Sequence, residues 1–301
     1  MKYVLRKTDQ SDELELAIDQ DAYTSYKKSR NILLNCLALE ESYQVLILAY
    51  LDLERQIFDA TASNMVYEIY YSSSDTFDIR LALNLRLMSL LTAITLYRDR
   101  FPHYIKECLP HRTDTESLAK SLKSREYDDN PDYQFMELFR NHAQHFDLPI
   151  HWMSSGTRWT ELGKDGLLEY STDFGVSKTY LMENKKFTRK VLNKYPDEID
   201  LKSTTRNYVE SFSKMHGTAR ELIKESVQNA RQNIEDAYTQ YRKAYGEASG
   251  SLSACMLTEQ DVVETVPLML YLDNIRIKLQ KKNQTLVNLD KRYVTGKKKT
   301  S

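Results

Sequence analysis

Arg140 and His145 stand five positions apart in the run Phe139-Arg140-Asn141-His142-Ala143-Gln144-His145-Phe146. Arginine is a permanent cation whose planar fork clasps phosphate. Histidine gives or takes a proton near neutral pH. Those are the two groups that a metal-free phosphodiester cleavage needs. Asn141 is a third catalytic candidate, and Gln144 and His142 are candidates for contacting a substrate.

The surrounding residues predict a short helix that carries this run. Asp128-Asp129-Asn130-Pro131 is a start signal, with Asn130 as N-cap and Pro131 in the first helical position. Leu148-Pro149 stops the helix just past Phe146. On a wheel of about 100° per residue, Phe135, Met136, Phe139, Ala143 and Phe146 form one apolar arc. Arg140, Gln144, Asn141 and His145 follow on the other side over about 140°, with His142 on the border. The wheel thus predicts that all four polar groups face away from the helix's own core. On a straight helix Arg140 and His145 are too splayed to grip one atom, whereas two copies meeting face to face solve that geometry.

The other segments read as mainly α. Only 8 Gly and 6 Pro interrupt 301 residues, and the 41% apolar fraction suits a globular chain. Residues 1–38 read as an N-terminal helical segment. Val45, Leu48, Leu51 (with Leu53), Arg55 and Phe58 step by threes and fours along a following helix. A second helix carries Leu83, Leu87, Leu90, Leu91, Ile94 and Tyr97, and Pro102 ends or kinks it. Residues 149–183 alternate apolar side chains with glycines and read as a β-hairpin insertion. A very long helix is expected over 199–245, with Val209, Phe212, Met215, Ala219, Val227, Ile234 and Tyr241 in one stripe. After a linker at 246–251, residues 252–301 read as a C-terminal helix over 258–293, with Pro267 near its start, and a basic tail. The expected architecture is an antiparallel helical bundle over 39–246 with long helices and the hairpin insertion.

Composition excludes several classes of function. Lys plus Arg (42) nearly balances Asp plus Glu (43), so nucleic acid would need a local patch. Lys185, Lys186 and Arg189 begin the one basic cluster near the motif, although basic helix faces are usually just solvated. Three scattered cysteines without a CxxC pair argue against thiolate zinc and a disulfide framework. His142, His145 and His151 lack the further converging ligands that a zinc site needs, so no metal and no cofactor is expected. No P-loop, GxGxxG or GxSxG run occurs. The most apolar run, 81–96, is broken by Asn84 and Arg86 and reads as too short and too polar to span a bilayer. A cytoplasmic location is the expectation. Arg206-Asn207 repeats the motif dipeptide, but its next histidine, His216, is too distant, so it reads as a helix-surface pair.

The run Arg140 to His145 resembles the RNxxxH form of the R-x4-6-H motif of HEPN domains. Its setting is similar as well, on a short helix after a long apolar one and before another long one. That resemblance implies an all-α bundle that dimerises, with the Arg and His of both subunits in a composite cleft. It implies metal-independent RNase activity in toxin–antitoxin or antiviral settings, with RNA as substrate and an antitoxin or regulatory protein as a further partner. By that likeness Arg140 would bind the scissile phosphate and Asn141 would orient it. His145 would act on the 2′-hydroxyl or the leaving oxygen, giving 2′,3′-cyclic phosphate ends. Some members of the family are catalytically silent and only bind nucleotides or proteins. An adaptor built around the long C-terminal helix is a third expectation.

Overall fold

A computed structural model describes residues 1–7, 14–67, 73–161, 166–246, 250–259 and 261–295. The chain is mainly α, 67% helical, with small antiparallel sheets. In chain order the elements are β1 (Lys2–Lys7), β2 (Leu16–Ile18), α1 (Gln20–Tyr67), α2 (Ser73–Cys108), α3 (Thr115–Asp129) and α4 (Pro131–His145). There follow β3 (Trp152–Trp159), β4 (Leu168–Ser177), α5 (Lys178–Glu183), α6 (Arg189–Leu192), β5 (Glu198–Asp200) and α7 (Leu201–Tyr245). The chain continues with β6 (Leu252–Leu257), β7 (Val262–Pro267), α8 (Leu270–Lys282) and a short 3-10 turn at 289–291. The structure divides into two compact units, each assembled from separated stretches of chain, and α1, α2, α3 and α7 contribute residues to both.

The first unit comprises residues 1–44, 97–120 and 217–284. Its sheet has the order β2-β1-β6-β7, all antiparallel. Val4, Leu5, Ala254 and Cys255 are fully buried in it. Glu40, 1% exposed, receives a forked pair of hydrogen bonds from Arg220 at 2.8 and 2.5 Å. Asp273 is likewise buried and paired with Arg231 and Arg276. Buried carboxylates tolerate such sites only when a cation and further hydrogen bonds replace lost water. Cys36, Cys108 and Cys255 are buried free thiols.

The second unit, residues 45–96, 121–216 and 285–301, holds the motif helix. Its sheet has the order β3-β4-β5. Gly175 on β4 pairs with Trp152 on β3 and Asp200 on β5. A Cβ there would lie 2.2 Å from the Ile199 carbonyl oxygen and 2.3 Å from the Trp152 ring, so only glycine fits. Phe174, Val176, Ile199 and Leu201 are buried at this junction. Tyr133 of α4 packs on Tyr208 and Phe212 of α7, with ring centroids 5.2 and 5.5 Å apart. Phe135 stacks on Phe139 and meets Tyr195 at 4.8 Å.

Several sequence expectations need correction. Residues 1–38 begin with two strands rather than helix, because β1 finds its partner in β6 more than two hundred residues away. The expected C-terminal helix over 258–293 is replaced by a β6–β7 pair and the shorter α8. Thr258 and Asp261 bond each other across the turn, the β-branched Val262 and Val263 continue as strand, and Pro267 closes β7. Of the two outcomes expected at Pro102, an end or a kink, the end is ruled out, since α2 runs on to Cys108. On α1 the stripe of Val45, Leu48, Leu51 and Phe58 is exposed, and Leu46, Leu53, Ile57 and Ala60 form the buried face. Finally, α1 and the 76–108 stretch of α2 are long and apolar enough to cross a membrane, with mean hydropathy of 1.4 and 1.5 over their most apolar parts. The run 81–96 looked too short and too polar because the helix extends beyond it; core helices of soluble proteins meet the same measure. The basic tail at 296–301 lies outside the described residues.

Candidate functional site

Local chemistry starts α4 where the sequence signals place it. The Asn130 side chain accepts from the backbone N–H of Asp132 at 2.9 Å and of Tyr133 at 3.4 Å, and Pro131 occupies the first turn. The Asn130 amide also donates to Ser211 Oγ at 2.9 Å, tying the cap to α7. At the other end Phe146 N–H donates to the His142 carbonyl at 2.8 Å. Between these ends α4 is buried on two sides. Tyr133, Met136, Arg140 and Ala143 are buried, and so are Phe135, Phe139 and His142. Asn141, Gln144 and His145 remain exposed.

The expectation that Arg140 shares this outward face is therefore corrected. Its side chain is only 7% exposed. Nη2 donates to Asn141 Oδ1 at 2.9 Å and stands 3.6 Å from Glu137, one turn back. Nη1 reaches Thr95 Oγ1 on α2 at 3.4 Å, and Nε has no hydrogen-bond partner among the described residues. Glu137 in turn accepts from the Tyr208 hydroxyl at 2.5 Å. Burial, and next the Glu137 carboxylate, push that phenol well above its ordinary range, so it stays a donor. The physical reason for the inward turn is the pairing. Glu137 is held by α7, and a guanidinium at i+3 can neutralise it only by folding inward.

Arg140 thus stands behind Asn141 rather than beside His145. By holding Asn141 Oδ1 it turns the Asn141 amide N–H groups toward solvent. Asn141 and His145 are one turn apart, about 40° on the wheel, so both lie on one exposed ridge. One flank of the ridge is α2: Arg140 touches Thr95, and Asn84 Oδ1 accepts the Ile150 N–H at 2.9 Å.

The opposite flank is made by the segment after α5. Asn184 Nδ2 donates to His142 Nδ1 at 3.1 Å, and Asn184 Oδ1 accepts the Lys186 N–H at 3.0 Å. One amide therefore pins the basic segment to α4. Lys185, Lys186 and Arg189 are all exposed there. His142 itself is 1% exposed, among Phe139, Phe146 and Phe187. Its Nε2 and both ring nitrogens of His151 have no partner among the described residues. The His142 and His151 rings lie 6.5 Å apart. Burial lowers the pKa of both from 6.5, and the neighbouring imidazole lowers that of His142 further. His142 is thus a neutral packing group and not a substrate contact.

Arg206 and Asn207 are engaged elsewhere. Arg206 forks onto Glu54 at 2.7 Å twice, and Asn207 donates to Asp132 at 2.7 Å. No cluster of three His, Cys, Asp or Glu side chains with metal-binding geometry lies among the described residues. The sequence reading missed Glu137, Tyr208, Thr95 and Asn184. Only Glu137 carried a local signal, its i,i+3 spacing to Arg140. Comparison with family models, curated proteins and solved structures gives no match for this chain.

Proposed function

We propose that this chain is a metal-independent endoribonuclease of HEPN type, acting as a toxin or antiviral effector in the cytoplasm. The observation that carries the reading is the α4 ridge. Asn141, oriented by the buried Arg140, and His145 one turn on share an open face beside Lys185, Lys186 and Arg189. In this reading the helices form an antiparallel bundle, β3 and β4 are its hairpin excursion, and two subunits contribute to one composite site. The partners are RNA, a second copy, and an antitoxin or regulatory protein.

The chemistry needs no resident group. The 2′-oxygen attacks phosphorus while the P–O5′ bond breaks, leaving a 2′,3′-cyclic phosphate and a 5′-hydroxyl. His145 of one subunit accepts the 2′-hydroxyl proton, and the protonated His145 of the second copy donates a proton to the leaving 5′-oxygen. The Asn141 amide donates to a non-bridging oxygen as charge builds there. Arg140 is a positioning residue: it fixes Asn141, in place of the direct phosphate contact that the resemblance implies.

A second reading is a catalytically silent module that binds nucleotides or proteins on the same ridge. The ion pair of Arg140 with Glu137 favours it, since a neutralised guanidinium attracts phosphate less. The test is incubation of the purified protein with transfer and total RNA in excess EDTA, with the termini analysed. The RNase reading expects cleavage to cyclic phosphate ends, reduced by about 100-fold or more in His145→Ala and by about 100-fold in Asn141→Ala. No cleavage by the wild type sinks it in favour of the silent module, and undiminished cleavage by His145→Ala sinks the assignment of the chemistry to this ridge.

A further inference from the structure

Exposed aromatic rings border the α4 ridge. Phe146, directly after His145, is 56% exposed rather than packed with the rest of its apolar arc. Tyr180 on α5 is 52% exposed and Phe77 on α2 is 48% exposed. A row of contacts joins them. The Phe146 ring lies 5.0 Å from the buried His142 ring, His142 lies 6.5 Å from His151, and His151 meets Tyr180 edge-on at 4.5 Å. Arg80 donates to the His151 carbonyl at 3.3 Å and stands over the Phe77 ring at 5.8 Å. The three rings therefore belong to one patch of the second unit, backed by His142 and His151.

Cations are interleaved with the rings. Arg80 links Phe77 to His151, and Asn184 pins Lys185 and Lys186 beside His142. Arg80, Lys185, Lys186, Arg189 and Lys190 form no ion pair among the described residues. Exposed Asp78, Asp147 and Glu183 lie in the same stretches of chain, which leaves only a small excess of positive charge. That balance decides how a nucleic acid would be held. A duplex presents phosphates and hides its base faces in the stack, so it could use only the small charge excess. An unpaired strand offers base faces as well, and every base has one to lay on an aromatic ring.

We infer that this patch is a stacking platform for the unpaired bases of single-stranded RNA, with Phe146 and Tyr180 as the rings that receive them. Phe146 follows His145 in the chain, so a base on its ring lies next to the phosphate held at the ridge. Arg80, Lys185 and Lys186 contact phosphates between the stacked bases. The site thereby selects loops and unpaired segments over duplex. The inference rests on the reading of the α4 ridge as an RNA-binding face and adds the substrate class to it.

The test is binding of a short fluorescein-labelled RNA that is 2′-O-methylated throughout. This probe lacks the attacking hydroxyl, so binding is read without cleavage. Phe146→Ala and Tyr180→Ala are each expected to weaken binding about 10-fold. Phe146→Tyr and Tyr180→Phe keep the ring and are expected to bind as the wild type does. An abasic version of the same probe is expected to cost the wild type as much as the lost rings, and that comparison needs no variant to fold. Annealed to its complement, the probe is expected to bind weakly, and to the wild type and the alanine variants alike. Equal affinity for the base-bearing and abasic probes overturns the inference, since phosphate contacts alone then explain binding. So does an affinity that neither alanine variant changes. A wild type that does not bind the probe overturns it as well and gives the rings to a protein partner. Base-dependent binding without cleavage of ordinary RNA leaves the platform standing and sinks only the catalytic reading.

Discussion

Arg140 and Asn141 are neighbours in the chain, yet one is buried against Glu137 and the other faces solvent. Their hydrogen bond makes them one unit, a buried cation steering an exposed amide. The Arg, Asn and His of the run, and the helix that carries them, were legible in the sequence. The direction of Arg140 was not, since its partner Tyr208–Glu137 pair is completed by a helix that begins more than fifty residues later. His142 and His151 carry a pH prediction at this scale. Burial holds their folded pKa values below the unfolded value of 6.5. The unfolded chain therefore binds more protons between those values, and stability rises with pH there. The protein should be at full stability above about pH 6.5 and lose it as pH falls below. Thermal midpoints measured from pH 7.5 down to 5 should drop, and His142→Gln should flatten the decline. An identical slope in the variant would mean that other groups set it.

The two long apolar helices show what periodicity can and cannot say. On α2 the stripe Leu83, Leu87, Leu90, Leu91 and Ile94 is the buried one, as its spacing implies. On α1 the stripe through Val45, Leu48 and Phe58 is exposed, and the set Leu39, Tyr43, Leu46, Leu53, Ile57 and Ala60, itself at helical spacing, packs inward. A helix that is apolar on more than one face has no single preferred side until its neighbours are placed. The strands were harder still. β3 and β4 are joined locally and announce themselves by alternation and glycine, whereas β1 depends on β6, far along the chain. Within the β3-β4-β5 sheet, Gly175 is the position to probe. Gly175→Ala would push a methyl into the Ile199 carbonyl oxygen and the Trp152 ring. We expect a loss of about 2–3 kcal/mol in urea unfolding, the scale of overpacking a filled site. A loss within error of zero would mean that the strands shift apart freely.

At the scale of the whole molecule, charge limits how RNA can be held. The net charge is −1, so there is no long-range positive field. Binding would rest on Lys185, Lys186 and Arg189, pinned beside α4 by Asn184. Three phosphate contacts to a single strand give a slope of about −2 for log affinity against log salt. A titration of His145→Ala with labelled RNA checks this, and a slope steeper than about −5 would require a larger basic surface than these residues supply. By itself the sequence determined the mainly helical character, the start and end of α4 and the long α7, because caps, prolines and local periodicity act over a few residues. Only the tertiary structure decided that Arg140 turns inward, that the α1 stripe turns outward, and that the first and last thirds of the chain share a sheet. Each of those depends on a partner distant in sequence, and burial follows from which surfaces find one another.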